Sequence, residues 1–221
     1  MVDNVISNNV VTIFGVVKDK PTYSHEMYGE EFYNAELIVP RLSDVADVLP
    51  ITISERLIMG IDIKEGSKVI VEGQLRSYNK YMDGSNKLIL TIFARNILLS
   101  DEEIKNPNQI FLDGYICKKP VYRTTPFGRE ITDMLIAVNR PYNKSDYIPS
   151  IAWGRNARYS EKLKVGDRIK IWGRIQSREY QKRISDEEII TRTAYEVSIS
   201  KMEIVNKTLS EDEVDCDILD D

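Results

Sequence analysis

Apolar and polar residues alternate at a period of two through much of this chain. In residues 167–180, Ile169, Ile171, Gly173 and Ile175 fall on one face of an extended segment. Lys170, Trp172, Arg174, Gln176, Arg178 and Tyr180 fall on the other, because strand side chains alternate between faces. The same rhythm, punctuated by proline, glycine and asparagine, predicts strands over 9–17, 32–39, 50–54, 67–77 and 87–97. It predicts five more over 109–116, 130–138, 147–153, 167–180 and 189–204. One helix-like piece sits between the third and fourth strands of each set, at 55–62 and 156–163, with Asn156 as the expected N-cap of the second.

The two sets are related by an internal repeat. At a shift of 99, Gly15 matches Gly114, Pro21 matches Pro120, Tyr23 matches Tyr122, Gly29 matches Gly128 and Glu31 matches Glu130. At a shift of 100, "KEGSKVIVEGQLRS" (64–77) matches "KVGDRIKIWGRIQS" (164–177). An ordered series at nearly constant shift points to a duplicated domain. Five strands with one helix after the third, in about 100 residues, fit a small Greek-key barrel, the OB-fold. The expected fold class is therefore all-β, two tandem OB-fold barrels each with a short helix. The expected domains are 1–105 and 106–205, joined through the polar stretch 101–108. Residues 206–221, with seven acidic side chains against one basic and without periodicity, are expected to form a disordered tail.

Composition narrows the function classes. Hydrophobic residues make up 42% of the chain, enough for a packed core. No apolar run is long enough to span a membrane. The N-terminus lacks a signal-peptide pattern, so the expectation is a cytoplasmic protein whose Cys117 and Cys216 are reduced. One histidine and two distant cysteines do not make a zinc site of the usual spacing. No phosphate-loop motif occurs. His25 stands alone in an expected loop, and the carboxylate runs 101–103 and 186–188 fall in linker or hairpin positions. The expectation is a protein without catalytic residues, metal or cofactor.

The net charge of −5 is unevenly spread. Residues 1–105 carry 11 basic and 16 acidic side chains, 106–205 carry 18 and 12, and 206–221 carry 1 and 7. A polyanion responds to the local field, so the expected nucleic-acid surface is on the second barrel. There an indole, Trp172, interleaves with Lys170, Arg174 and Arg178. This pattern offers base stacking beside phosphate contacts. Burial of Trp172 at a domain or subunit interface is the competing reading, since alternation slips where strands bend at glycines such as Gly173.

Residues 109–138 with "AVNR" (137–140), then 146–181 with "AWGRNA" and "KVGDRIKIWGRIQSREY", resemble bacterial single-stranded DNA-binding proteins in motif order and spacing. The first half shares mainly the glycine–proline opening and "EGQLRSY". The resemblance implies two OB domains that bind single-stranded DNA by stacking and by basic grooves. Tyr142, Tyr147, Trp153 and Tyr180 match the family's stacking aromatics, and Arg123, Arg140, Arg155, Arg174 and Arg178 stand where basic side chains meet phosphates. Trp153 and Tyr147 also admit a packing role, and Arg155 a solvated one.

The first barrel departs from this pattern, with Ser54 opposite Trp153 and Glu72 opposite Trp172. It is expected to bind weakly or serve assembly, with Arg76, Tyr78 and Tyr81 as its remaining contacts. Single-OB family members commonly form tetramers, which implies a homodimer holding four barrels here. Family tails often recruit replication and repair proteins through an acidic run with a hydrophobic tip. "DCDILDD" has the acid and the Ile218–Leu219 pair but lacks the final proline–phenylalanine. Against sequence-nonspecific coating of single-stranded DNA in the nucleoid stand two alternatives. One is a primosome-type or RNA-binding OB protein, since an OB surface also takes RNA; the other is a protein-interaction module.

Overall fold

The computed structural model describes residues 7–41, 43, 45–82, 84–102, 104–183 and 189–206. The acidic tail expected beyond 206 lies outside these. The first half forms β1 (Asn9–Val17), β2 (Thr22–Met27), β3 (Glu30–Pro40), β4 (Ala46–Ser54), α1 (Glu55–Ile58), β5 (Lys68–Met82) and β6 (Ser85–Leu99). The second half forms β7 (Asn108–Ile116), β8 (Val121–Thr124), β9 (Glu130–Arg140), β10 (Lys144–Trp153), α2 (Arg155–Ser160), β11 (Arg168–Arg183) and β12 (Ile189–Asn206).

All twelve strands belong to one sheet, ordered β2-β3-β4-β6-β5-β1-β7-β11-β12-β10-β9-β8. Pairing of β1 with β3, and of β7 with β9, closes each half into a five-stranded barrel. Among the described residues, β4–β6 and β10–β12 are the parallel pairs. This is the OB-fold, present twice. Alternation supplies the cores: Val11, Ile13, Leu37 and Ile53 in one barrel, Leu112, Ile136, Ile169 and Ile171 in the other, are wholly buried.

Two local expectations need correction. Strands β2 and β8 extend each barrel outside its closure, where the sequence suggested loops. They sit at the sheet edges and are almost fully exposed, so no buried face marks them with apolar residues. His25 accordingly lies on β2, stacked on Phe32 with ring centroids 5.0 Å apart. The helices are also shorter than expected. Gly154, at φ +52°, caps α2, and Asn156 lies inside the helix, where its Nδ2 donates to the Ser200 carbonyl.

Equivalent glycines bend the barrels at equivalent places. Register shifts fall at Glu72/Gly73 in β5 and Trp172/Gly173 in β11. Side chains at Gly73 and Gly173 would drive into the carbonyl oxygens of Phe93 and Ser198. The strand can approach its neighbour there only without a Cβ.

The barrels join by a pseudo-twofold contact. Strands β1 and β7 pair antiparallel with Val11 opposite Ile110, which are the same position of the repeat. Flanking the axis, Asp47 and Asp146 are fully buried. Asp47 accepts from Arg41 Nε (2.7 Å) in its own barrel, and from the Ser177 amide (2.7 Å) and hydroxyl (3.0 Å) in the other. Asp146 accepts from Arg140 Nη1 (3.2 Å) in its own barrel, and from the Ser77 amide (2.8 Å) and Arg76 Nη1 (2.9 Å) in the other. Each carboxylate thus satisfies an amide that the seam takes out of water.

Candidate nucleic-acid interface

The outward side of β10 presents Tyr147 and Trp153, 45% and 36% exposed, while Ile148 and Ala152 between them are wholly buried. Six residues apart on a strand, the two rings are separated by roughly 20 Å, a span of several nucleotides. Trp153 is not a core residue: its Nε1 donates to Ser198 Oγ at 3.1 Å, and the indole has an open side.

Ser198 begins a line of side chains across β12 and β11. It pairs in register with Arg174. Arg174 Nη2 donates to Gln176 Oε1 (3.3 Å), and Gln176 Nε2 donates to Glu196 Oε1 (2.7 Å). Arg178 Nε lies 3.8 Å from the same Glu196 oxygen. The line thus brings Trp153, Arg174 and Arg178 together on one outward surface. Tyr180 follows two residues after Arg178 on the hairpin beyond the barrel, 38% exposed. Arg123 stands on β8, its Nε 2.6 Å from Asp133. The hydrogen bond to Asp133 raises its pKa above the ordinary guanidinium value, against the effect of burial.

Tyr142 and Arg140 belong to the seam end of this surface. Tyr142 is 93% exposed at φ +62° on the β9–β10 turn. The Tyr147 amide donates to Ser77 Oγ of the first barrel at 2.7 Å. Arg155 is exposed at the start of α2.

Lys170 and Trp172 lie further along β11, where it pairs with β7. Trp172 faces outward, half-buried against Phe111 (5.1 Å between centroids) with Lys201 Nζ 4.4 Å from its ring centre. Lys170 is flanked in register by Asp113 and Glu203, and Arg168 makes a two-pronged bond to Asp113 at 2.9 Å. Glu203 is in turn paired with Lys201 at 2.6 Å. A groove of about 770 Å³ is lined by Arg41, Phe111, Trp172, Arg174 and Ser198 among others, so Trp172 and Arg174 share it.

Ser198, Gln176 and Glu196 were not legible as site residues. Their one signal is position, since Gln176 falls on the outward face of the strand. In the first barrel, Ser54 bonds to Glu30, Arg56 pairs with Glu30 at 3.1 Å, and Asn96 donates to Glu72 at 3.1 Å. On its β5–β6 hairpin Tyr78 and Tyr81 are 49% and 72% exposed. No helix among the described residues is long and apolar enough to cross a membrane.

Residues 107–205 match the model of the single-strand binding protein family. Over 97 residues the chain is 31% identical to single-stranded DNA-binding protein 3 of Listeria innocua, covering 39% of this chain and 61% of that one. The chain spans 48–61% of the length of the curated relatives it matches. The single-stranded DNA binding protein from Thermus aquaticus has a similar fold, with a TM-score of 0.72 at 20% identity, over 92% of this chain and 95% of that one. The N-terminal domain of PriB from Thermoanaerobacter tencongensis is 51% identical over 43% of this chain and the whole of that one, with a TM-score of 0.39.

Proposed function

We propose that this chain, whose residues 107–205 match the model of the single-strand binding protein family, binds single-stranded DNA without sequence preference. It coats strands exposed in replication, recombination and repair, and it carries out no catalysis. The observation that carries this reading is the connected line from Trp153 through Ser198, Arg174 and Gln176 to Arg178. It sets an accessible ring beside two guanidinium groups on one surface. Aromatic faces stack on any base, and guanidinium groups meet phosphates.

The site consists of Tyr147, Trp153 and Tyr180 for stacking and Arg123, Arg140, Arg155, Arg174 and Arg178 for phosphates, with Tyr142 at the seam end. Lys170 and Trp172 stand outside it. Trp172, Phe111 and the exposed Val10 instead offer apolar surface to a second copy, in a homodimer of four barrels located with DNA in the cytoplasm. The acidic stretch 206–221 is the proposed contact for replication or repair proteins.

A salt titration with oligo(dT), oligo(rU) and duplex DNA tests the function. The expected result is preference for oligo(dT), with log K falling as log salt rises. Equal affinity for duplex, or no binding at low salt, would overturn it. A sedimentation mass of one chain would overturn the homodimer.

A further inference from the structure

The two seams between the barrels are built on one plan but differ in charge. At the Asp47 seam one guanidinium, Arg41, meets the carboxylate. At the Asp146 seam two meet it, Arg76 from the first barrel at 2.9 Å and Arg140 from the second at 3.2 Å. Arg76 also donates to Gln74, and Arg95 donates to the same Gln74 oxygen at 2.9 Å. Three guanidinium groups thus surround one carboxylate and one amide, leaving two positive charges in excess.

The repeat shows that the fold does not need them. The positions matching Gln74 and Arg76 are Arg174 and Gln176, with the two residue types exchanged. Arg95 is the unpaired bulge residue of β6, between Ala94 opposite Gly73 and Asn96 opposite Glu72. Its counterpart, between Ile199 opposite Gly173 and Lys201 opposite Trp172, is Ser200. One guanidinium per carboxylate closes the other seam, so Arg76 and Arg95 are surplus to closure. Holding them together is costly: burial lowers the Arg76 pKa, Asp146 raises it, and the charges of Arg140 and Arg95 lower it again. Arg76 and Arg140 are partly buried, Arg95 is exposed, and Tyr147 is tied to the seam through Ser77.

The geometry points to a phosphate seat made by Arg76, Arg95 and Arg140, in which the backbone of a single DNA strand passes from Tyr147 of the second barrel onto the first barrel. This rests on the proposed single-stranded DNA binding and gives the first barrel a part in it. An anion there relieves the repulsion among the three groups, and a phosphodiester oxygen accepts in the geometry a guanidinium offers.

The test is the salt dependence of oligo(dT) binding by the full chain, by Arg95→Gln and by Arg95→Lys. Losing one phosphate contact to a single strand makes the slope of log K against log salt shallower by about 0.7. The affinity deficit of Arg95→Gln should therefore grow about fivefold for each tenfold drop in salt. Arg95→Lys, which keeps the charge, should recover most of the slope. An unchanged slope for Arg95→Gln, or a deficit constant across salt and accompanied by a lowered melting temperature, would overturn the seat. Trp153→Ala run alongside separates the two claims. If it weakens binding while Arg95→Gln keeps the wild-type slope, the seat fails and DNA binding at the second barrel stands. If Trp153→Ala binds normally while Arg95→Gln loses slope, the seat stands and the stacking surface fails.

Discussion

Asp47 and Asp146 occupy the same position of the repeat and do the same work in opposite directions. Each is wholly buried in its own barrel and accepts the backbone amide of a serine in the other, Ser177 at 2.7 Å and Ser77 at 2.8 Å. With Val11 facing Ile110 on the axis between them, the chain contains an isologous interface between its own halves. The symmetry is exact enough in hydrogen bonding that its departures, such as Arg76 against Gln176, mark residues kept for something other than closure.

Removing one carboxylate should weaken that interface. In Asp47→Ala the Ser177 amide loses its acceptor and Arg41, 24% exposed at its side chain, loses its partner. Breaking a buried pair from one side costs about 3–5 kcal/mol. Denaturant unfolding should show a loss at the lower end of that range, because Arg41 retains some contact with water. A loss below about 0.5 kcal/mol, the level of an ordinary surface change, would mean the seam does not depend on Asp47.

The same carboxylate sets an acid limit. Burial pushes the Asp47 pKa up, but hydrogen bonds from Arg41 and Ser177 outweigh it and hold the group below its ordinary 3.8. A depressed carboxylate contributes stability that is fully present above the unfolded pKa and is lost as pH falls through the folded one. Its contribution should therefore be intact at neutral pH and disappear below about 3.8. Thermal melts at descending pH should show Asp47→Asn losing less stability over that window than the native chain. Parallel curves would refute the assignment.

How much of this was legible in the sequence differs from residue to residue. The ten barrel strands followed from alternation and the repeat, because Ile169, Ile171 and Ile175 must all face one core. Strands β2 and β8 bury almost nothing, so no apolar rhythm announced them. Trp153 could not be assigned to core or surface from "SIAWG", since the bond from its Nε1 to Ser198 joins residues 45 apart in the chain. The neighbours of Lys170 were hidden for the same reason. Lys170 looks like part of a basic strand until β7 and β12 bring Asp113 and Glu203 beside it. The seam cluster was equally hidden, because Arg76 and Arg140 meet through tertiary contact alone.

Gly173 tests the bend that aims the site. A Cβ there would drive into the Ser198 carbonyl oxygen and crowd Ile199, and this contact is backbone that cannot swing aside. Gly173→Ala should destabilise the protein by about 1–3 kcal/mol, the usual cost of forcing extra atoms into a packed position. It should also shift Ser198, the acceptor of the Trp153 indole, so DNA affinity should fall along with stability. Gly66, at φ +81° with open space around its Cβ position, provides the contrast. Gly66→Ala should cost stability through backbone strain alone and leave DNA affinity unchanged.

The chain has two tryptophans, and they sit among different neighbours. Trp153 is bonded at one edge and open at its face, whereas Trp172 is held between Phe111 and Lys201 on the sheet that spans β7 and β11. In Trp172→Phe the fluorescence comes from Trp153, and oligo(dT) should quench it as a base stacks on the ring. In Trp153→Phe it comes from Trp172, and the same titration should change it little. Trp153→Ala should weaken binding by about 1–3 kcal/mol, the worth of one stacked base, while Trp172→Ala should leave affinity near the native value. Strong quenching of Trp172 with a silent Trp153 would reverse the assignment and move the DNA path onto the sheet around the pseudo-twofold axis.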